Sequence, residues 1–190
     1  MGRVDFDAAL FVGRIGEQMV VRFLRLRGLG VIPCYDYTGK AGDKAPWLQF
    51  TGDRRFILPD VDVCGGGDRF WFEIKSYYGP ADNRALGAQV HGIPGRLYRD
   101  YLEVEKESGC PVYIAVLEIS TGLLLAAQLL GLKTYSCMCS PCRSNRDDAC
   151  VAPLKNGRVW KRDDMRTAHR FSDAEMSEIR AAHASSLRKP

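Results

Sequence analysis

Residues 16–27 carry Met19, Val20, Phe23, Leu24 and Leu26 at helical spacing, and Gly28 and Gly30 punctuate the end, so the pattern predicts a first helix. The β-branched and aromatic run 31–37 predicts a strand entering a loop over 38–43. Residues 55–58 continuing into 61–64, and then 70–74, read as two further strands. Between them Gly65, Gly66, Gly67 and Asp68 have the composition of a hairpin turn. Residues 77–95 mix several glycines and prolines with Asp82, Asn83, Arg84, Gln89 and His91, which predicts a long loop, and long loops in small domains are often functional.

A second helix is predicted over 96–108, where Leu97, Tyr101 and Val104 share one stripe and Gly109 closes the helix. Two strand-like runs, 112–119 and 123–129, flank Thr121-Gly122 as a second hairpin. Beyond a cysteine-rich stretch, Val159-Trp160 suggests a short strand. Ser172, with Glu175 three residues on, opens a last helix as a capping box, and the tail from Ala184 is expected to fray. Strands interleaved with helices predict an α/β domain built on a central mixed sheet flanked by helices.

Composition narrows the class. The 190 residues fit one domain with a small appendage, and 46% hydrophobic with 26% charged residues excludes disordered and collagen-like chains. The net charge of +4 permits nucleic acid as a partner without demanding it. Arg3, Asp5 and Asp7 before the first apolar stretch do not match a secretory signal, and no apolar run approaches the ~20 residues that span a bilayer. An intracellular protein with no membrane partner is therefore expected.

The chemistry concentrates in Pro59-Asp60-Val61-Asp62 and Glu73-Ile74-Lys75. Side chains two apart on a strand share a face, so Glu73 and Lys75 point together. If the strands pair across the glycine turn, Asp60 or Asp62 joins them. Two carboxylates with several waters suit a hard cation such as magnesium and leave room for a substrate phosphate. The cation polarises that phosphate and acidifies water. A neighbouring lysine orients water or stabilises negative charge, and neighbours can lower its proton affinity.

These residues resemble the signature of the PD-(D/E)XK nuclease superfamily, the restriction-endonuclease-like fold that includes Holliday junction resolvases. The resemblance covers roughly residues 15–119: a helix with a glutamate, three antiparallel strands, a helix and another strand. It implies a nuclease core over residues 1–135, with a C-terminal strand and helix over 153–190 completing it. It further implies Asp60 and Glu73 as ligands for Mg2+ or Mn2+, and Lys75 as the residue assisting water. Glu17, at the position where resolvase-like members place a further carboxylate, is implied as a fourth catalytic residue. Charged residues in a first helical turn also suit the helix dipole without catalysis. Asp62 stands as the alternative to Asp60. The implied activity is hydrolysis of DNA phosphodiester bonds, with RNA the weaker candidate, and a resolvase implies a homodimer.

Arg84, His91, Arg96 and Arg99 follow the lysine strand and are candidate phosphate contacts. Cys137, Cys139, Cys142 and Cys150 gather in a small insertion, residues 136–152, with spacing that suits a four-thiolate zinc knuckle; an iron-sulfur cluster or unmetallated thiols are the alternatives. A non-catalytic nucleic-acid-binding or assembly module using that knuckle is the rival function. Cys34, Cys64 and Cys110 read as small buried hydrophobes.

Overall fold

The computed structural model describes residues 6–34, 47–49, 54–136 and 157–186. Its helices are α1 (Phe6–Leu26), α2 (Gly95–Ser108) and α3 (Asp173–Ser186). The central sheet has six strands: β1 (Gly30–Pro33), β4 (Val61–Gly65), β5 (Asp68–Tyr77), β8 (Val112–Glu118), β9 (Leu123–Gln128) and β12 (Arg166–Arg170), side by side in that order. A second sheet joins β10 (Tyr135–Ser136), β11 (Arg158–Lys161), β7 (Ala88–Ile93) and β6 (Ala81–Asn83), and β2 (Trp47–Gln49) pairs with β3 (Arg55–Ile57). Within the central sheet β5 and β8 are parallel and every other pair is antiparallel. The parallel pair needs a crossover, which the β6–β7 hairpin and α2 supply.

Each face of the sheet has its own core. On one, Val12, Ile15, Val20 and Leu24 of α1 and Met176 and Ile179 of α3 meet Val61, Val63, Phe72 and Ile74. On the other, Tyr101 and Val104 of α2, Ile93 of β7 and Trp160 of β11 meet Trp71, Val112, Ile114, Val116 and Leu125. This is the expected mixed sheet flanked by helices.

The expected hairpins at Gly66-Gly67 and Gly122 are present, and Gly109 closes α2 with its N–H donating to Glu105 O. The capping box of α3 forms as expected: Ser172 N–H donates to Glu175 Oε2 at 2.8 Å and Glu175 N–H to Ser172 Oγ at 3.3 Å. Several expectations need correction. The first helix starts at Phe6 rather than Gly16, because Val12 and Ile15 extend its apolar stripe past Gly13. The run 55–64 is not one strand; β3 and β4 separate around Pro59 and enter different sheets. Residues 77–95 are not a loop, since they hold the β6–β7 hairpin with Val90 and Ile93 buried. The polar strand β12 is an edge with a register shift between Thr167 and His169, and its alternation is too weak to read. Cys64 is exposed, and Cys34 and Cys110 are half-buried, so none of the three is a fully enclosed hydrophobe. The expected loop at 38–43 and the cluster of Cys137, Cys139, Cys142 and Cys150 lie outside the described residues. Among the described residues no helix is long and apolar enough to cross a membrane.

A polar staple fastens the second sheet to the first. The carboxylate of Glu118, at the end of β8 and fully buried, accepts from Arg162 Nε (2.6 Å) and Nη2 (2.9 Å), from Thr121 Oγ1 (2.9 Å) and from His91 Nε2 on β7 (3.0 Å). Burial alone raises a carboxyl pKa, but the hydrogen bonds from Arg162, His91 and Thr121 outweigh it and hold Glu118 down at about 2. The folded value lies below the ordinary 4.5, so this stabilisation is complete above that pH and is lost as pH falls towards 2. Glu118→Gln is therefore expected to be less stable than the parent in urea unfolding at pH 7, with the gap closing between pH 4.5 and 2. A gap independent of pH would show that the ionised carboxylate does not hold the sheets together.

Candidate active site

The site is built on the β4–β5 hairpin. Gly65 pairs with Asp68, leaving Gly66 (φ 63°) and Gly67 (φ 91°) as a two-residue turn with both residues in the left-handed region, the type I′ geometry that matches strand twist. This fixes the register at Val61 opposite Phe72, and one step further sets Asp60 across from Glu73. Asp60 Oδ2 accepts the backbone N–H of Ile74 at 2.7 Å, which ties the carboxylate to β5. Along β5, Phe72, Ile74 and Ser76 face α1 and α3, whereas Trp71, Glu73, Lys75 and Tyr77 take the other face.

Asp60, Glu73 and Lys75 are thus brought together. Glu73 is wholly buried, and its Oε1 forms an ion pair with the Lys75 ammonium. Apart from that ion pair neither Glu73 oxygen accepts a hydrogen bond among the described residues. Burial, and next the charge of Glu73, push the Asp60 carboxyl well above the usual range; Lys75 and the Ile74 N–H pull the other way, and Glu17 adds to the rise. Lys75 is pulled down by desolvation but raised further by Glu73 and Asp60, so its net shift is upward. Its near neighbours are carboxylates, which favour the ammonium form. Tyr77, the next residue on that face, is raised to about 12, chiefly by burial, and its hydroxyl donates to Gly92 O at 2.6 Å. The Cys34 thiol is also pushed up to about 12 by burial and then by Asp62 and Asp60, and its N–H donates to Asp60 O at 2.8 Å.

Asp62 is placed differently. Arg69 grips both of its oxygens, Nε to Oδ1 at 3.0 Å and Nη2 to Oδ2 at 2.6 Å. Glu17, on α1 and buried, lies near enough for its charge to act on Asp60. Of the candidate phosphate contacts, Arg84 is exposed in the β6–β7 turn. Arg96 and Arg99 are exposed at the start of α2, with Arg96 3.9 Å from Asp100 and Arg99 Nε donating to Gly95 O. His91 departs from a surface contact: it is buried, stacks on Tyr77 with ring centroids 5.6 Å apart, and bonds Glu118. Tyr77, Glu118 and Arg162 were not anticipated as candidates. Tyr77 continues the alternation of Glu73 and Lys75, which was the available signal; Arg162 had none.

The donor set fits a divalent cation. Two carboxylates face each other across the hairpin, one orphaned of hydrogen bonds and one with a raised pKa, and a positive charge between them would satisfy both. Among the described residues no group of three or more His, Cys, Asp or Glu side chains is drawn close enough to hold a metal by itself. A carboxylate pair is nevertheless what magnesium takes when water and substrate complete its shell.

No family model and no curated protein matches the chain. Similar solved structures include Hjc, a Holliday junction resolvase from the archaeal hyperthermophile Archaeoglobus fulgidus. It is 11% identical, with a TM-score of 0.48 over 80% of this chain and 90% of that one. Another is D212, a nuclease from a fusselovirus, 11% identical with a TM-score of 0.39 over 97% of this chain and 96% of that one. The chemistry of this site is read from its own geometry.

Gly16 sets how closely α1 lies on the site strand. A Cβ there would run into Ser76 Oγ and would lie 3.0 Å from Ser76 Cβ and 3.2 Å from Ile179 Cδ1. Alanine is the better helix former by about 1 kcal/mol, yet overpacking costs about 1–3 kcal/mol, so the clash decides the sign. Gly16→Ala is expected to lower stability by about 1–2 kcal/mol in urea unfolding, and adding Ser76→Ala is expected to restore most of it. Failure of the second change to rescue the first would place the origin of the loss elsewhere than this contact.

Proposed function

We propose that this chain is a divalent-cation-dependent nuclease that hydrolyses phosphodiester bonds in DNA. The observation that carries the reading is the buried Glu73 carboxylate, paired with Lys75, facing Asp60 and otherwise without a hydrogen bond. A polar group buried in this way costs stability, and a binding site for a cation gives that cost a use.

Asp60 and Glu73 would hold Mg2+ or Mn2+, with Glu17 as a further carboxylate within electrostatic reach. Asp60 is preferred to Asp62 because Arg69 already takes both Asp62 oxygens. When bound, the cation polarises the phosphate and increases the acidity of water. Lys75, whose ammonium pairs with Glu73, would orient water and neutralise charge growing on a phosphate oxygen. The Tyr77 hydroxyl is committed to Gly92 O and serves position rather than proton transfer. Arg84, Arg96 and Arg99 are exposed and would meet phosphates beyond the reacting one.

A junction-resolving endonuclease working as a homodimer is the specific form we favour, because two such sites would cut two strands. Structural zinc, or an iron-sulfur cluster, at Cys137, Cys139, Cys142 and Cys150 rests on the spacing of the thiols alone and is decided by metal analysis. Incubation with linear, single-stranded, nicked and branched DNA, with and without Mg2+, tests the activity and its preference.

Asp60→Asn retains an acceptor for the Ile74 N–H and removes one of the opposed charges. An Asp whose folded pKa is raised loses stability as pH rises through that value, so the variant is expected to melt at or above the parent temperature in EDTA at pH 7. It should also lose cleavage and lose the rise in melting temperature that Mg2+ gives the parent. Lys75→Ala is expected to abolish cleavage as well. Undiminished cleavage by both variants would refute the assignment.

A further inference from the structure

A groove of about 470 Å³ lies between α1 and the end of β1, with Glu17 among its lining residues. Arg22 and Arg25 line it together with Val21, Leu26 and Pro33. Both arginines are exposed, and neither forms an ion pair with a carboxylate among the described residues. Arg25 reaches Val31 O with one nitrogen at 3.4 Å, which leaves most of its guanidinium at the groove. Leu26 is 77% exposed, an apolar side chain left in water beside two cations.

This combination selects a ligand that is anionic at regular intervals and less polar between them. At a helical rise of 1.5 Å per residue, Arg22 and Arg25 stand about 7.5 and 12 Å along the axis from Glu17, comparable to one and two nucleotide steps of an extended strand. Guanidinium groups match phosphate oxygens in pairs, and Val21, Leu26 and Pro33 offer sugar and base an apolar wall. The volume admits a nucleotide or two and not the width of a duplex. The groove reaches the neighbourhood of the site through two of its lining residues: Pro33 pairs with Val61, next to Asp60, and Glu17 is the carboxylate whose charge acts on Asp60.

We propose that this groove binds the single-stranded flank of the DNA substrate, with Arg22 and Arg25 on consecutive phosphates next to the bond that is cut. The proposal rests on the nuclease reading for the word substrate, but the groove's affinity for a strand is measured without cleavage.

The test is fluorescence anisotropy in EDTA, using the full chain and three labelled DNAs: a single strand, a duplex with a single-stranded flank, and a blunt duplex. Arg22→Gln/Arg25→Gln is expected to bind the first two about tenfold more weakly than the parent and the blunt duplex nearly as well. Losing two contacts at ~0.7 each should reduce the slope of log affinity against log salt by about 1.4 on the single strand. Arg22→Lys/Arg25→Lys keeps the charge and should retain the slope. Unchanged affinity and slope in the glutamine variant overturn the proposal, and so does an equal loss on the blunt duplex. Cleavage with Mg2+, measured on the same proteins, separates the two readings. Arginine-dependent strand binding by a parent that cuts nothing sinks the nuclease and leaves the groove, whereas cutting with arginine-independent binding does the reverse.

Discussion

The structure is organised around a fully buried carboxylate on a strand with neighbours on both sides. Glu73 lies in β5, between β4 and β8, where an apolar residue would cost nothing. It is paired with Lys75 and faces Asp60, and its charge adds to the burial that raises the Asp60 carboxyl. A charged group in such a place is tolerable only if the surrounding framework is rigid enough to keep its partner in position. The framework is the sheet itself, with a separate apolar core on each face.

Three devices hold the charged face in register. The glycine turn fixes the pairing of β4 with β5, so Asp60 arrives opposite Glu73 and not one residue away, where it would point to the other side. Gly16 lets α1 settle onto Ser76, which carries Glu17 towards the edge of the site. The Glu118 staple draws the second sheet against the end of β5, where Tyr77 stacks on His91 and bonds Gly92. The last two join segments distant in sequence, and all three converge on the same strand.

What was legible in the sequence was what is local. Pro59-Asp60 and Glu73-Ile74-Lys75 could be placed on one face because strand alternation has a period of two and the turn between them carries glycines. The helices were legible from their stripes and caps, although Gly13 and Gly16 masked the first half of α1. The β6–β7 hairpin was read as a loop because its glycines imitate one. Gly92 is there for a different reason: a Cβ would meet Arg158 O at 2.6 Å, on a strand that follows far later in the chain. His91 looked like a surface cation, and only the fold reveals Glu118 as its partner, 27 positions on. The charge environment of Lys75 likewise depends on which groups the sheet gathers around it.

The outer strand β12 carries a last implication. It carries the exposed Arg166 and Arg170, and its ladder to β9 is interrupted between Thr167 and His169. Like charges and a broken hydrogen-bond rhythm discourage another copy from extending the sheet sideways. Crowded copies of this chain are thereby kept from polymerising through their β-edges at this end, so concentrated solutions should resist fibre formation by that route.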